Sequence, residues 1–274
     1  MGALSDSRTV GLLLPLLLLV SRGSAQVIPN RATRYLFPTD VSDARALWVN
    51  PAGLGRVLEA SVHLDLTVGD PGAGGRLRQL TAGFNSRGFS LGYQRDVLDG
   101  GARDHTYRLG FAGGRGSLAA GVAAALYRGA SAGGTGWDAG LVYDLPPRLT
   151  VGGVIENVGQ PVVHDSVLHV NYVPGATLRL FGPRLALSAQ GRFRSDGAAA
   201  YAFGVRAGLR EGGARPIRLL ARVDTDGSLR RTAFAFGLAV GGQDAVGAVA
   251  TVLGDGARLD ALSLYGLSTR RIGP

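Results

Sequence analysis

From about Val57 onward the chain alternates with period two, an apolar residue followed by a polar or small one, in segment after segment. In the first segment Leu58, Ala60, Val62, Leu64, Leu66 and Val68 take one face, and Glu59, Ser61, His63, Asp65 and Thr67 take the other. Side chains that point to opposite faces in turn belong to strands. Stretches rich in Gly, Pro, Asp, Asn and Ser interrupt the alternation, as tight connections require. The pattern predicts about fourteen strands, near 58–68, 77–85, 88–97, 104–113, 116–128, 134–145, 148–157, 167–181, 184–194, 199–210, 216–224, 230–241, 245–253 and 259–269. No segment after Gly55 carries a 3.6-residue period, and no linker marks a second domain. Glycine contributes 44 of the 274 residues, well above the usual share of about 7 %, and it weakens any helix interior.

Alternation does not say which face is wet. A soluble sandwich or barrel turns the apolar face to its core, whereas an outer-membrane barrel turns it to lipid. Three features favour lipid. The apolar face is almost free of charge, while the other mixes Gly, Ala, Ser, Gln and Arg. The connections are short, and the strands have the roughly nine to eleven residues that a tilted membrane strand needs. About fourteen strands would also close a barrel too wide for its own side chains to fill, and no blade-length repeat divides them otherwise. The N-terminus agrees. Arg8 precedes the apolar run Val10–Val20, too short for a helical span, and Gly23-Ser24-Ala25 offers a small-residue cleavage site. Residues 1–25 therefore read as a signal peptide, with the mature chain starting near Gln26. The absence of Cys rules out a lipidated N-terminus and a disulfide framework. The rival reading is an exported soluble all-β protein.

Residues 43–55 read Asp-Ala-Arg-Ala-Leu-Trp-Val-Asn-Pro-Ala-Gly-Leu-Gly. This stretch resembles the signature that precedes the first strand in FadL-type outer-membrane proteins (long-chain fatty-acid transporters) and in the related PorV/PorQ barrels. Asn50, Pro51, Ala52, Gly53 and Leu54 match the motif, and Ala46, Leu47 and Trp48 match its lead-in. Leu141–Gln160, with Leu149-Thr150-Val151-Gly152-Gly153 running into Asn157-Val158-Gly159, is similar to the PorV/PorQ group. The resemblance implies an all-β, transmembrane antiparallel barrel of fourteen strands. Residues 26–56 would then form a short N-terminal plug ending in the motif, and residues 57–274 the barrel. Pro51 fixes its own φ and biases Asn50 toward extended backbone, so the pair can turn the chain into the wall. The chain departs from the family in its short length and in the brevity of residues 26–42. Its C-terminus, Ser-Thr-Arg-Arg-Ile-Gly-Pro, also lacks a final aromatic, though Tyr265 and Leu267 lie upstream.

The residues give no support to catalysis. Gly88-Phe89-Ser90-Leu91-Gly92 has nucleophile-elbow spacing, but that motif needs a strand–turn–helix context and Ser90 lies inside an alternating strand. His164-Asp165-Ser166 is a run on one loop, and His63, His105, His164 and His169 lack metal-ligand spacing. The reading is of no enzyme, no cofactor and no metal. The formal charge of +9 comes from 29 basic residues, all arginine and spread along the chain, with only 7 % aromatics, which argues against nucleic acid.

One constellation stands out. If the strands near 199–210 and 216–224 pair through the turn around Gly213, Arg206 falls opposite Leu220 with Arg218 and Arg222 on its diagonals. Arg192, on the preceding strand, faces the same way. Asp40 and Asp43 of the plug, or Asp65, Asp138 and Glu156 across the lumen, are candidate counter-charges. Paired, the arginines tie the plug to the wall. Otherwise Arg192, Arg206, Arg218 and Arg222 form a strip for carboxylate head groups or small anions. The expected function is a channel or transporter for hydrophobic or amphipathic, fatty-acid-like molecules, embedded in outer-membrane lipid. The alternative implied by the PorV/PorQ resemblance is an accessory barrel in protein secretion or surface-protein assembly, with a secretion component as partner. A lumen face of Gly, Ser, Gln and Arg tempers a purely fatty-acid route.

Overall fold

The computed structural model describes residues 30–57, 59–69, 71, 75–209, 216–254 and 259–272. The signal-peptide reading falls on residues outside that range. Each alternating segment forms a strand. These are β1 (Glu59–Gly69), β2 (Arg76–Ser86), β3 (Phe89–Val97), β4 (Arg103–Arg115) and β5 (Leu118–Gly129). There follow β6 (Gly133–Leu145), β7 (Leu149–Val158), β8 (Asn171–Leu180), β9 (Leu185–Arg194) and β10 (Ala199–Gly208). The last are β11 (Ile217–Asp226), β12 (Arg231–Gly241), β13 (Asp244–Leu253) and β14 (Leu259–Arg271). Each pairs antiparallel with the next. Glu59 of β1 lies opposite Arg271 of β14, which closes the sheet into a barrel. We call the end where β1 starts and β14 finishes the base, and the opposite end the rim.

Burial along the strands is the reverse of a soluble protein. On β1, Ser61, His63, Asp65 and Thr67 are buried, while Val62, Leu64 and Leu66 are exposed. Gln79, Thr81, Gln94, Asp96, Asp104, Thr106 and Asp138 are buried in the same way, and Phe84, Leu91, Leu109, Phe111, Val122, Trp137 and Leu141 face out. Burying polar groups and exposing large apolar ones is favourable only where the surroundings are hydrocarbon. A testable consequence follows at Leu64, which is 50 % exposed in mid-strand. Leu64→Arg should cost about 2–4 kcal/mol in lipid, read as a lowered urea midpoint of the protein folded into vesicles. A soluble barrel would tolerate the change, so an unaltered midpoint would refute the lipid-facing assignment.

Two details differ from the sequence pattern. Strand β8 begins at Asn171, not 167, because Val162–Val163 and Ser166–Val167 form a separate small hairpin that joins β6 at Gly133. Left-handed backbone at Gln160, His164 and Asp165 turns the chain there. Strands β4 and β6 also run further into glycine-rich sequence than their patterns suggest. Where neighbours supply both ladders, glycine does not end a strand.

Candidate functional site

Residues 30–56 lie against the inward faces of the strands. Two short 3-10 turns, Ala44–Trp48 and Pro51–Gly55, shape their second half. The Asp43 side chain caps the first turn by accepting from the Arg45 backbone N–H at 2.9 Å. The Arg45 guanidinium then grips both carboxylate oxygens, Nε at 2.9 Å and Nη2 at 2.7 Å, donates to the Tyr35 hydroxyl at 2.8 Å, and lies over the Tyr265 ring. Burial pushes the Asp43 carboxyl up, but the charge and hydrogen bonds of Arg45 prevail and hold it below the usual carboxylate range.

Asn50 has extended backbone and its Oδ1 accepts from Ala52 N–H at 3.1 Å, so it caps the second turn, with Pro51 at the first position. Its amide nitrogen donates to the Pro38 carbonyl at 3.0 Å and to the Gly153 carbonyl of β7 at 3.3 Å. Ala52 is fully buried, and a side chain on Gly53 would strike the Val41 carbonyl. The wall beneath is floored with glycine. A Cβ on Gly121 would sit 2.5 Å from the Pro51 carbonyl oxygen, one on Gly110 2.5 Å from Leu47, and one on Gly92 2.8 Å from Trp48. At Gly140 it would run into the Asn50 side chain. Glycine on β3–β6 is therefore a steric requirement of the motif.

Charge divides the inward wall into sectors. Inward carboxylates Asp65, Asp96, Asp104, Asp138, Asp144 and Glu156 lie on β1–β7, and inward arginines Arg179, Arg192, Arg194, Arg206, Arg218 and Arg222 on β8–β11. Arg108 on β4 and Asp224 on β11 reverse the rule. Along their middle, strands β12–β14 present neutral groups such as Ala233, Ala235, Val249, Ala261 and Ser263, with Arg231 at the rim end of β12.

Residues 30–56 bridge these sectors. Arg206 donates to both oxygens of Asp40, at 3.0 Å each, and Arg179 reaches the same carboxylate at 3.3 Å. Arg222 binds Asp224 at 2.8 Å, donates to the Leu36 carbonyl at 2.7 Å and covers the Phe37 ring, while Arg34 approaches Asp224 at 3.5 Å. Arg56 pairs with Asp144 at 2.7 Å. Arg192 is held by Glu156 at 2.6 Å, and Arg108 by Asp138. Arg206 lies opposite Leu220, with Arg218 and Arg222 paired to Gly208 and Gly204. Arg218 stays apart from the others, donating to the Gly241 carbonyl near the base at 2.9 Å. Arg179 and Arg34 belong to this network and were not picked out from the sequence. Strand parity with buried Thr177 could have placed Arg179 inward, but nothing local marks Arg34.

Between residues 30–56 and the rim lies a cavity of about 670 Å³. Leu36, Trp48 and Tyr127 give it apolar surface, and Arg34, Glu156, Arg192, Arg222 and Asp224 give it charge. The hydrolase-type residues do not converge. Ser90 is buried and donates to the Phe84 carbonyl at 2.6 Å, and His164 and Asp165 lie in the rim connection. Among the described residues no group of His, Cys, Asp and Glu could hold a metal ion.

No protein-family model matches the sequence, and no curated protein does either. Solved structures do match. The toluene transporter TbuX of Ralstonia pickettii aligns with TM-score 0.58 and 14 % identity, covering 88 % of this chain and 98 % of its own. The CymD monoaromatic hydrocarbon channel aligns with TM-score 0.56 and 13 % identity, covering 85 % and 94 %. A Pseudomonas aeruginosa FadL homologue aligns with TM-score 0.54 and 11 % identity, covering 88 % and 96 %. At these identities the common property is the fold, a closed antiparallel β-barrel.

Proposed function

We propose that this chain is a non-enzymatic outer-membrane channel for small amphipathic molecules, with residues 30–56 as its plug. The observation that carries the reading is the cavity beside that segment, where aromatic and aliphatic surface adjoins guanidinium groups. Neighbours described as a toluene transporter and a monoaromatic hydrocarbon channel support an apolar ring or chain as one part of the solute. The arginines favour a solute that also carries an anionic head. Of the four arginines on the strip, Arg192 and Arg222 line the cavity and would meet that head. Arg206 instead fastens Asp40, and Arg218 lies at the base.

Uptake of benzoate and of toluene into vesicles holding the full chain tests this. Charge-assisted hydrogen bonds of about 1.5–3 kcal/mol imply that Arg192→Gln/Arg222→Gln should lower benzoate uptake about tenfold and leave toluene uptake unchanged. Equal effects on both solutes, or none, would refute an anionic head-group site.

A further inference from the structure

The lipid-facing surface is apolar through its middle, but not at the rim of β3–β5. Arg95 of β3 lies directly opposite His105 of β4, and His105 directly opposite Arg128 of β5. Arg103 sits one step nearer the rim, opposite Val97. Parity fixes their direction. Asp96 and Asp104 are buried and point into the lumen, as does Tyr127, so the residues beside them point out. One row below, Tyr93 and Tyr107 pack with ring centroids 5.4 Å apart. The Tyr93 hydroxyl is hydrogen-bonded to His105 Nδ1 at 2.9 Å.

Among the described residues no carboxylate pairs with the basic row. Asp104 turns inward to Ser131, and Asp99 in the β3–β4 connection pairs with Arg78 at 2.6 Å. Arg128 donates only to the neighbouring Tyr127 carbonyl, at 2.9 Å, and Arg95 Nε is buried without a partner, both among the described residues. Two guanidinium groups two strands apart, with an imidazole between them, concentrate positive potential that an anion from outside the chain would neutralise. Their height, just above an aromatic pair, is where headgroups meet hydrocarbon. Guanidinium forks match phosphate oxygens bidentately.

We propose that the Arg95–His105–Arg128 row binds a phosphate-bearing lipid headgroup of the outer leaflet, with Tyr93 and Tyr107 packing against the lipid below it. This rests on the outer-membrane reading and on a rim that faces the cell exterior. The long 159–170 connection lies at the rim, and β1 starts and β14 finishes at the base, the arrangement of outer-membrane barrels with long outer loops.

The test is native mass spectrometry of the full chain in phosphatidylcholine nanodiscs, titrated with diphosphorylated lipid A. Arg95→Gln/Arg128→Gln should weaken lipid A binding about tenfold or more, while Arg115→Gln at the base leaves it unchanged. Heat-modifiable mobility on a gel checks that each variant is a closed barrel. Equal binding by wild type and double variant would overturn the proposal, as would an equal loss in Arg115→Gln. Displacement of lipid A by inorganic phosphate at comparable concentration would overturn the lipid as the source. Failure of an epitope in 159–170 to be labelled on intact cells would instead overturn the orientation on which the proposal rests.

Discussion

Replacing Gly121 and Gly140 together by valine is expected to expel the Asn-Pro-Ala-Gly turn from the wall and to raise the leak of small solutes, with the barrel itself intact. Both glycines lie in strands with ordinary extended backbone, so valine suits their conformation. Their difficulty is steric. A Cβ at Gly121 meets the Pro51 carbonyl at 2.5 Å, and a Cβ at Gly140 meets the Asn50 side chain that caps the turn and bonds Gly153. Neither obstacle is the free end of a flexible side chain. Overpacking of this kind costs about 1–3 kcal/mol per site, and two sites compound it against a segment tied down by a limited set of polar contacts. Liposome swelling reads the leak, and heat-modifiable mobility reads closure of the sheet. Normal closure with no added leak would show that residues 30–56 do not obstruct the lumen.

The second large effect is expected from Asp40→Asn. This carboxylate answers the bidentate fork of Arg206 and also serves Arg179. Its side chain is 15 % exposed and those of both arginines 28 %, so water offers only partial relief. Removing one partner of a largely buried pair is far more costly than removing both. We expect a loss of about 2 kcal/mol on that ground, read as a lowered urea midpoint, together with a shift of planar-bilayer currents toward anions. Asp40→Asn/Arg206→Gln should regain part of the stability and lose the anion preference. If the double variant were no more stable than the single one, the fork would not be the source of the cost.

Much of the wall was readable from residues alone, because a period of two is a statement about directions. Once Val62, Leu64 and Leu66 are assigned to one side, Ser61, His63, Asp65 and Thr67 must take the other. The lack of charge among the former pointed to lipid. The pairing of Arg206 with Leu220 was likewise legible, since two strands joined by one turn leave little freedom in register. What could not be read was which carboxylate meets which arginine. Asp43 and Asp40 are near neighbours in sequence, yet Asp43 turns back on Arg45 and only Asp40 reaches the wall, through a fold of residues 30–56 that no periodicity describes. Arg34 escaped notice for the same reason. The hairpin at 162–167 was missed because its two strands are only two residues each, too short to show a period, so 159–166 read as a connection.

That hairpin has a kinetic consequence. Val163 and Leu168 are buried against Tyr127 and Ala125, so it folds over the β5 side of the mouth and leaves the approach to the cavity lopsided. Arg194, Ala198, Arg231, Thr232 and Leu253 line the cavity toward the rim on the other side. In the proposed channel a solute would first meet this quadrant, where Arg194 and Arg231 stand with Asp226, before any pairing interaction deeper in the lumen is felt. Fields at such a mouth act over a screening length of about 8 Å at physiological salt and chiefly alter how often productive collisions occur. In the proposed channel the sign of a solute's charge would therefore be registered in its speed of entry, a difference that shrinks as ionic strength rises.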